Sequence, residues 1–244
     1  MSDGVRIHYI EHGFGEPIVL IHGFAGSIDE WVDSGVMSNL SQDHRVIALD
    51  LRGHGKSDKP RDAKEYGEKM CLDIIRLLDH LGVAKAHIVG YSQGARLVGY
   101  LLTTHPDRFL TATLGGSPPR VGWPTEEAQR AEKDAQEMEH ESKSRTADGQ
   151  DYLALAAVAR SREFQVVKES QLANVKVPTI GIIGSEDPRL AGMQALKKMM
   201  PALLRVVVID GATHAGERGA LKRPEFVRAV REFVTARALI PREL

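Results

Sequence analysis

The sequence predicts a three-layer α/β fold, in which helices cover both faces of a mostly parallel sheet. Seven short runs are rich in Val and Ile, and most of them are nearly continuous in apolar residues, as expected of strands buried on both faces. Segments with the 3.6-residue period of helices lie between these runs, and such alternation favours right-handed crossovers. The runs are Val5–Ile10, Ile18–Ile21, Val46–Leu49, Ala86–Val89, Leu110–Leu114, Thr179–Ile183 and Leu203–Ile209.

The first run and two of the helices have distinctive patterns. Val5–Ile10 mixes polar and apolar residues, so we expect it at an edge of the sheet. The segment Tyr66–Leu81 places its apolar residues on one helical face, and Gly82 is suited to cap the helix C-terminus. A second apolar face repeats over Phe226–Val234, with Pro224 in the first turn of the predicted helix.

One long segment interrupts the alternation of strands and helices. Residues 117–172 contain no strand candidate; a highly charged stretch, 126–145, is followed by the almost wholly apolar Leu153–Ala159. We therefore expect two or more helices inserted into one α/β core, which comprises residues 1–116 and 173–244. A segment of this length usually has a role of its own, such as a lid, although a long connection is the simpler interpretation.

Composition and charge exclude several classes of protein. The 244 residues include 32 Lys and Arg against 33 Asp and Glu, a net charge of -1, which gives no indication of a nucleic-acid or anionic-membrane partner. Cys71 is the single cysteine, so no intrachain disulfide can form. The N-terminus lacks a secretory signal, and no apolar run is long enough to span a bilayer. We expect a cytoplasmic protein; the sequence does not predict its oligomeric state.

The sequence contains no complete motif for a metal or a cofactor. It has no His-Glu-x-x-His or Cys-x-x-Cys pair. The segment Gly55-Lys56-Ser57 resembles the end of a phosphate-binding loop, but Asp50 stands where that motif needs its first glycine. We therefore expect neither a metal nor a cofactor.

A candidate nucleophile lies between a predicted strand and a predicted helix. The segment Gly90-Tyr91-Ser92-Gln93-Gly94 has the pattern G-x-S-x-G, follows the strand Ala86–Val89 and opens an apolar helix. Such a sharp turn exposes a serine hydroxyl in a strained conformation. We expect glycine at 90 and 94 because strand and helix approach too closely there for side chains.

A serine hydroxyl needs a base, and the base needs an acid that fixes its tautomer. His214 follows the strand Leu203–Ile209 in a loop of small residues, and Asp187 follows Thr179–Ile183. The predicted triad therefore has the chain order Ser92, Asp187, His214. Two other acids, Glu186 and Asp210, also follow these strands and stay open as alternatives to Asp187.

Two further glycine-containing loops complete a family pattern. His22-Gly23-Phe24 follows the strand at Ile18–Ile21, and Asp50–Ser57, with the sequence DLRGHGKS, follows Val46–Leu49. With the ordered triad, these segments make nearly the whole chain similar to the α/β-hydrolase superfamily, and most closely to its serine esterase and lipase-like branch. His22 and the histidine at 54 are better explained as residues that stabilise these loops.

The resemblance implies further roles. It implies that the backbone N–H groups of Phe24 and Gln93 form the oxyanion hole and that residues 117–172 form the cap, which at 56 residues is short. Because only four residues precede Val5, we expect the first strand usual in the family to be missing. We expect Tyr91 and Trp123 to contribute to the substrate pocket.

These observations predict a cofactor-independent hydrolase of small carboxylic esters that acts through an acyl-enzyme. A serine nucleophile argues against the dehalogenase and epoxide hydrolase branches. In the family that the sequence resembles, those branches use an aspartate as the nucleophile. Hydrolysis of carbon–carbon bonds, lactones or thioesters stays open, because the same triad serves them. So does a ligand receptor with a vestigial site. We expect Leu153–Ala159 and residues 121–124 to form an apolar acyl pocket.

Overall fold

The computed structural model describes residues 3–143 and 149–238. Seven strands form the main sheet and two short ones form a separate pair. They are β1 (Tyr9–His12), β2 (Pro17–Ile21), β3 (Arg45–Leu49), β4 (Ala86–Tyr91), β5 (Phe109–Gly115), β6 (Arg120–Val121), β7 (Val166–Val167), β8 (Thr179–Gly184) and β9 (Leu203–Ile209). The order in the main sheet is β1-β3-β2-β4-β5-β8-β9, and β6 pairs with β7.

Helices cover both faces of this sheet. They are α1 (Asp29–Asp33), α2 (Val36–Leu40), α3 (Glu68–His80), α4 (Gln93–Thr104), α5 (Thr125–Glu141), α6 (Tyr152–Arg160), α7 (Glu169–Ala173), α8 (Leu190–Met199) and α9 (Pro224–Ala238). Helices α3, α4, α7 and α8 bury apolar residues in one core cluster, whereas α1, α2 and α9 contribute to the cluster on the other face. The three-layer α/β architecture is therefore confirmed. Helix α3 ends as predicted, with Gly82 at φ 66°.

All seven predicted strands have a counterpart, and the first one is displaced. Strand β1 pairs antiparallel with β3 at the edge of the sheet and starts at Tyr9 rather than at Val5. The residues before it bond to a loop instead: the backbone N–H of Asp58 donates to the carbonyl of Arg6 at 3.0 Å, and that of Asp50 donates to His8 at 2.9 Å. Hydrophobic patterning could not anticipate pairing with an irregular segment.

The parallel pairing determines where the loops lie. Strand β2 pairs with β3 and β4, β4 with β5, β5 with β8, and β8 with β9, all in parallel. The carboxyl ends of these strands therefore meet at one edge of the sheet, which is where open α/β sheets place their ligands. The loops that hold the residues singled out in the sequence all start at this edge.

The segment 117–172 contains α5, α6 and most of α7, in agreement with the predicted two or more helices, but it also contains β6 and β7. The prediction that this segment has no strand was therefore wrong, because two-residue strands are too short for a periodicity to reveal them. We propose that residues 117–172 are a cap on a core formed by 1–116 and 173–244. Within these ranges, residues 1–2, 144–148 and 239–244 lie outside the described part of the chain.

Helix α6 packs differently from the expectation for its apolar sequence. Ala156 and Ala159 pack against Ala135 of α5, and Val158 joins the main core. Its apolar side chains therefore fasten α5 to the core. Within residues 3–143 and 149–238, no helix combines the length and apolar character that crossing a bilayer requires.

Candidate active site

Ser92 occupies the sharp turn between β4 and α4. Its φ is 54°, a left-handed conformation that non-glycine residues rarely adopt, and its backbone N–H donates to the carbonyl of Gly115 at 2.8 Å. A Cβ at Gly94 would overlap the carbonyl oxygen of Ile21, and one at Gly90 would overlap the carbonyl of Gly94. The predicted need for two glycines is confirmed. Strain of this kind concentrates at functional sites.

A chain of two hydrogen bonds links Ser92 to a buried carboxylate. The Oγ of Ser92 lies 2.9 Å from Nε2 of His214, and Nδ1 of His214 lies 2.6 Å from Oδ2 of Asp187. If Nδ1–H donates to the carboxylate, Nε2 is left as an acceptor for the serine hydroxyl. The loops after β4, β8 and β9 thus bring together the three residues of the predicted triad.

The environment of Asp187 keeps it ionised. Burial alone raises the pKa of this carboxyl, but hydrogen bonds from His214 and from the backbone N–H of Arg189, at 3.0 Å, outweigh burial and lower the pKa overall. The alternative acids have other partners: Glu186 accepts from Arg218 at 2.8 Å on the surface, and Asp210 accepts from a serine hydroxyl at 3.5 Å. The geometry therefore favours Asp187.

Tyr91 holds His214 from the side. Its hydroxyl donates to the carbonyl of His214 at 2.6 Å, and the two rings stack at 5.6 Å with an angle of 24°. Burial raises the pKa of the Tyr91 phenol, which keeps the donor protonated. Tyr91 thus contacts the predicted base rather than the space above Ser92.

The histidines of the glycine loops are structural. The Nε2 of His22 accepts from the backbone N–H of Leu51 at 3.0 Å, so its Nδ1 donates to the carbonyl of Gly23 at 2.7 Å. Burial lowers the pKa of His22 and lowers that of His54 to about 3, with His22 adding to the second shift. Both rings therefore stay neutral and tie the two loops together.

Asp50 also holds the loops after β2 and β3 together. Its carboxylate accepts from the backbone N–H groups of Ile28 and Lys56, both at 2.8 Å. Burial alone raises the pKa of Asp50, but these bonds, with a bond from His8, lower it overall. The carboxylate thus accepts from two loop N–H groups in place of backbone carbonyls, and its role is to hold the loops beside Ser92 in shape.

Two backbone N–H groups lie next to the nucleophile. A Cβ added at Gly23 would lie 3.3 Å from Cβ of Ser92, so the residue that precedes Phe24 approaches the turn closely. Gln93 is the first residue of α4, where the N–H has no acceptor within the helix. These are the two predicted oxyanion donors, and the fold brings both to the edge where Ser92 lies.

The cleft above Ser92 differs from the predicted apolar acyl pocket. It has a volume of about 450 Å³ and is lined mainly by charged side chains. The lining comprises Phe24, Ser92, Gln93, Arg96, Arg120, Glu127, Arg130, Asp134, Arg162, Gln165, Pro188 and Arg189. Residues 121–124 and Leu153–Ala159 are absent from it, because α6 turns its apolar side chains to α5 and the core.

The two residues expected in the substrate pocket lie outside this lining. Tyr91 contributes instead to a neighbouring depression beside His214. Trp123 is half-buried, and the guanidinium carbon of Arg120 lies 5.0 Å from the centre of its ring. Trp123 therefore supports a cleft residue without forming the cleft wall.

The arginines of the cleft are the residues that sequence reasoning missed. One of them had a local signal: Arg96 is the only charged residue in α4 and lies one turn after Ser92. A single charge in the first turns of an apolar helix that opens at a nucleophile marks a side chain in the cleft. The others come from distant segments and gave no such signal.

Comparisons with known proteins agree with this fold. A thermophilic esterase from Thermogutta terrifontis, solved with malate bound, matches with a TM-score of 0.82 and 22% identity over 97% of this chain and 96% of that one. The putative 2-succinyl-6-hydroxy-2,4-cyclohexadiene-1-carboxylate synthase of Bacillus subtilis is 24% identical over 97% of each chain.

Another curated relative is similar over a shorter stretch. It is the dihydrolipoyllysine-residue acetyltransferase component of the acetoin cleaving system of Cupriavidus necator, 37% identical over 113 residues. The match covers 46% of this chain and 29% of that protein. The family model described as the alpha/beta hydrolase fold matches residues 16–150, more than half of the chain. The chain therefore belongs to the α/β-hydrolase family.

Proposed function

We propose that this protein is a serine hydrolase that cleaves carboxylic esters through an acyl-enzyme on Ser92. The observation that carries the proposal is the hydrogen-bond chain from the strained Ser92 through His214 to Asp187, at 2.9 and 2.6 Å. A weak nucleophile, a base in contact with it and an acid that orients the base are the three parts that acyl transfer needs.

In the first half of the proposed reaction, Oγ of Ser92 attacks the ester carbonyl carbon while Nε2 of His214 accepts its proton. Asp187 stabilises the imidazolium that forms. The tetrahedral oxyanion accepts hydrogen bonds from the N–H groups of Phe24 and Gln93, and its collapse expels the alcohol, which takes the proton from His214.

In the second half, His214 removes a proton from water, and the hydroxide attacks the acyl-enzyme. The same two N–H groups stabilise the second oxyanion, and Ser92 regains its proton as the acid leaves. The reaction needs no group beyond those of the chain and water. The hydrogen bond and stacking from Tyr91 support this sequence, because they hold His214 in one orientation.

The triad alone does not choose among esters, thioesters, lactones and activated carbon–carbon bonds. A panel of 4-nitrophenyl esters, acyl thioesters, lactones and a vinylogous 1,5-diketone measures the choice directly. The proposal predicts many turnovers and the highest kcat/KM on esters. Faster cleavage of another class would reassign the substrate. A burst of about one equivalent followed by no turnover would instead indicate a ligand receptor on a hydrolase fold.

A further inference from the structure

The cleft above Ser92 concentrates positive charge in a protein that is nearly neutral. Its lining contains five arginines and two carboxylates, a formal charge of +3, whereas the whole chain carries -1. The arginines come from separate segments: Arg96 from α4, Arg120 from β6, Arg130 from α5, Arg162 from the turn after α6, and Arg189 from the turn before α8. This separation makes their convergence a product of the tertiary fold.

Two of these guanidinium groups are held by a carboxylate of the cleft and by an aromatic ring. Arg120 pairs with Glu127 and lies over Trp123, while Arg162 pairs with Asp134 at 2.5 Å and lies 4.8 Å from the ring centre of Phe24. One carboxylate and one aromatic face per arginine fix its position and neutralise only part of the charge of the cleft. Both groups are thus positioned in advance of any ligand.

Arg96 differs from Arg120, Arg162 and Arg189, each of which pairs with a carboxylate. Its Nε donates to Oγ of Ser117 at 3.1 Å, and among the described residues no carboxylate lies within ion-pair distance of it. Burial lowers the pKa of Arg96 to about 9, with the charges of Arg120 and Arg189 adding to the shift. The side chain therefore presents a poorly compensated guanidinium next to the nucleophile. An anion would remove this penalty.

Two buried polar atoms of the lining lack a hydrogen-bond partner within the described ranges. They are Nε of Arg120 and Oε1 of Gln93. A buried polar atom without a partner costs free energy unless a ligand or water satisfies it. An anion would satisfy Nε of Arg120, which donates, whereas Oε1 of Gln93 accepts and would need a donor such as water. The unpartnered Nε of Arg120 is therefore a second observation, besides Arg96, that favours an anion in this cleft.

We propose that the substrate carries a carboxylate in addition to the scissile ester, and that Arg96 binds this carboxylate with Arg120 and Arg162 beside it. The assignment deepens the proposed function and rests on it. A planar guanidinium matches a carboxylate in a two-point contact, and the partial dehydration of the cleft strengthens that contact. A neutral ester of the same size leaves Arg96 uncompensated, so discrimination arises from both charge and desolvation.

Matched esters test the proposal. On the acyl side, mono-4-nitrophenyl glutarate is compared with its neutral methyl ester; on the alcohol side, 3-carboxy-4-nitrophenyl acetate is compared with 4-nitrophenyl acetate. After subtraction of the uncatalysed rates, one charged ester should be preferred in kcat/KM by about ten- to a hundredfold, the range expected for hydrogen bonds to a charged group. The side that shows the preference locates the carboxylate.

Variants then connect the preference to Arg96. Arg96→Gln should lower the charged-to-neutral ratio to near unity, mainly through KM, and Arg96→Lys should restore part of it because the charge returns without the fork. The matched control is Arg205→Gln, an arginine on the edge strand β9 that lies outside the cleft lining. It should keep the ratio of the wild type. Thermal melts of each variant report whether it is folded.

Binding separates this proposal from the function it rests on. With Ser92→Ala, glutarate should bind by calorimetry, and Arg96→Gln in that background should weaken binding about tenfold or more. Glutarate binding without hydrolysis of any ester would overturn the proposed function and leave the anion site standing. Equal kcat/KM for charged and neutral esters, with no glutarate binding, would overturn the anion site alone. Tighter binding of inorganic phosphate than of glutarate would reject the carboxylate in favour of a phosphate group.

Discussion

The floor and the roof of the cleft are held in place by different forces. The floor, formed by the loops that follow β2, β4, β8 and β9, starts at buried parallel strands and is fixed by backbone hydrogen bonds and by close glycine contacts. The roof, formed by β6, α5, α6 and β7, buries only a small alanine cluster of its own. Its α5 side is tied down by arginine–carboxylate pairs.

This difference assigns different tasks to the two regions. Close packing makes the floor intolerant of change, so it can hold reacting atoms to within a fraction of an ångström. The solvent-exposed pair of Arg160 with Glu132 is of the kind that contributes only about 0–1 kcal/mol, whereas Arg120 and Arg162 are largely buried. The roof therefore depends on charge pairs more than on close apolar packing. We infer that the floor sets the reaction and that the roof, together with Arg96 of α4, sets the substrate.

Removing the nucleophile tests whether the floor holds the reacting residue. Ser92→Ala should lose about 10⁶ in kcat, since loss of a triad serine removes the covalent route. Circular dichroism and the melting temperature should match those of the wild type, because the change deletes one atom at the surface of the cleft. Retention of even a tenth of the ester hydrolysis would break the assignment of the floor as the reacting surface.

The acid of the floor has a natural control beside it. Asp187→Asn should cost on the order of 10⁴ in kcat, because an amide favours the wrong tautomer of His214. Glu186→Gln should cost little, since that side chain bonds to Arg218 on the surface. Measured side by side, the reverse order of the two effects would transfer the role of acid to Glu186.

Substitutions at two glycines compare how tightly the floor and an ordinary helix are packed. Gly94→Ala would place a Cβ against the carbonyl of Ile21 and should lower the free energy of unfolding by about 1–3 kcal/mol or more. Gly192→Ala in α8 meets only Pro118 at 3.4 Å and should raise it by about 0.5–1 kcal/mol. Urea titrations give both values. Equal effects would show that the floor is no more tightly packed than a helix.

The contribution of Trp123 to the roof should be small. Because it lies under Arg120, Trp123→Ala should lower the preference for the charged ester about two- to fivefold, as expected for a cation–π contact of about 0.5–1 kcal/mol. The ranking of acetyl to decanoyl esters should stay unchanged. If that ranking moves by about tenfold or more, Trp123 is an acyl-pocket wall after all.

The same contrast explains what could be predicted from the sequence. The G-x-S-x-G turn and its flanking strand and helix are local, so the glycine contacts at 90 and 94 and the strained Ser92 followed from a short pattern. The positions of Asp187 and His214 followed from one rule, that parallel strands end at a common edge. The residues of the floor could therefore be predicted from local sequence patterns.

The charge and the packing of the roof could not be predicted from the sequence in this way. Its charge depends on which faces of α5 and α6 turn inward, and this is decided by contacts such as Ala135 with Ala156, between residues far apart in sequence. The apolar Leu153–Ala159 was expected in the cleft, but apolar residues can serve a helix interface equally well. Strands as short as β6 and β7 also carry no periodic signal.

Covalent trapping identifies the residue that acts as the nucleophile. A fluorophosphonate reacts with an activated serine to give a stable tetrahedral adduct, and peptide mass spectrometry locates it. We predict one phosphonyl group on Ser92, loss of ester hydrolysis in proportion to labelling, and no labelling of Ser92→Ala. A protein that hydrolyses esters while Ser92 stays unlabelled, or that carries the adduct on another residue, would contradict the account.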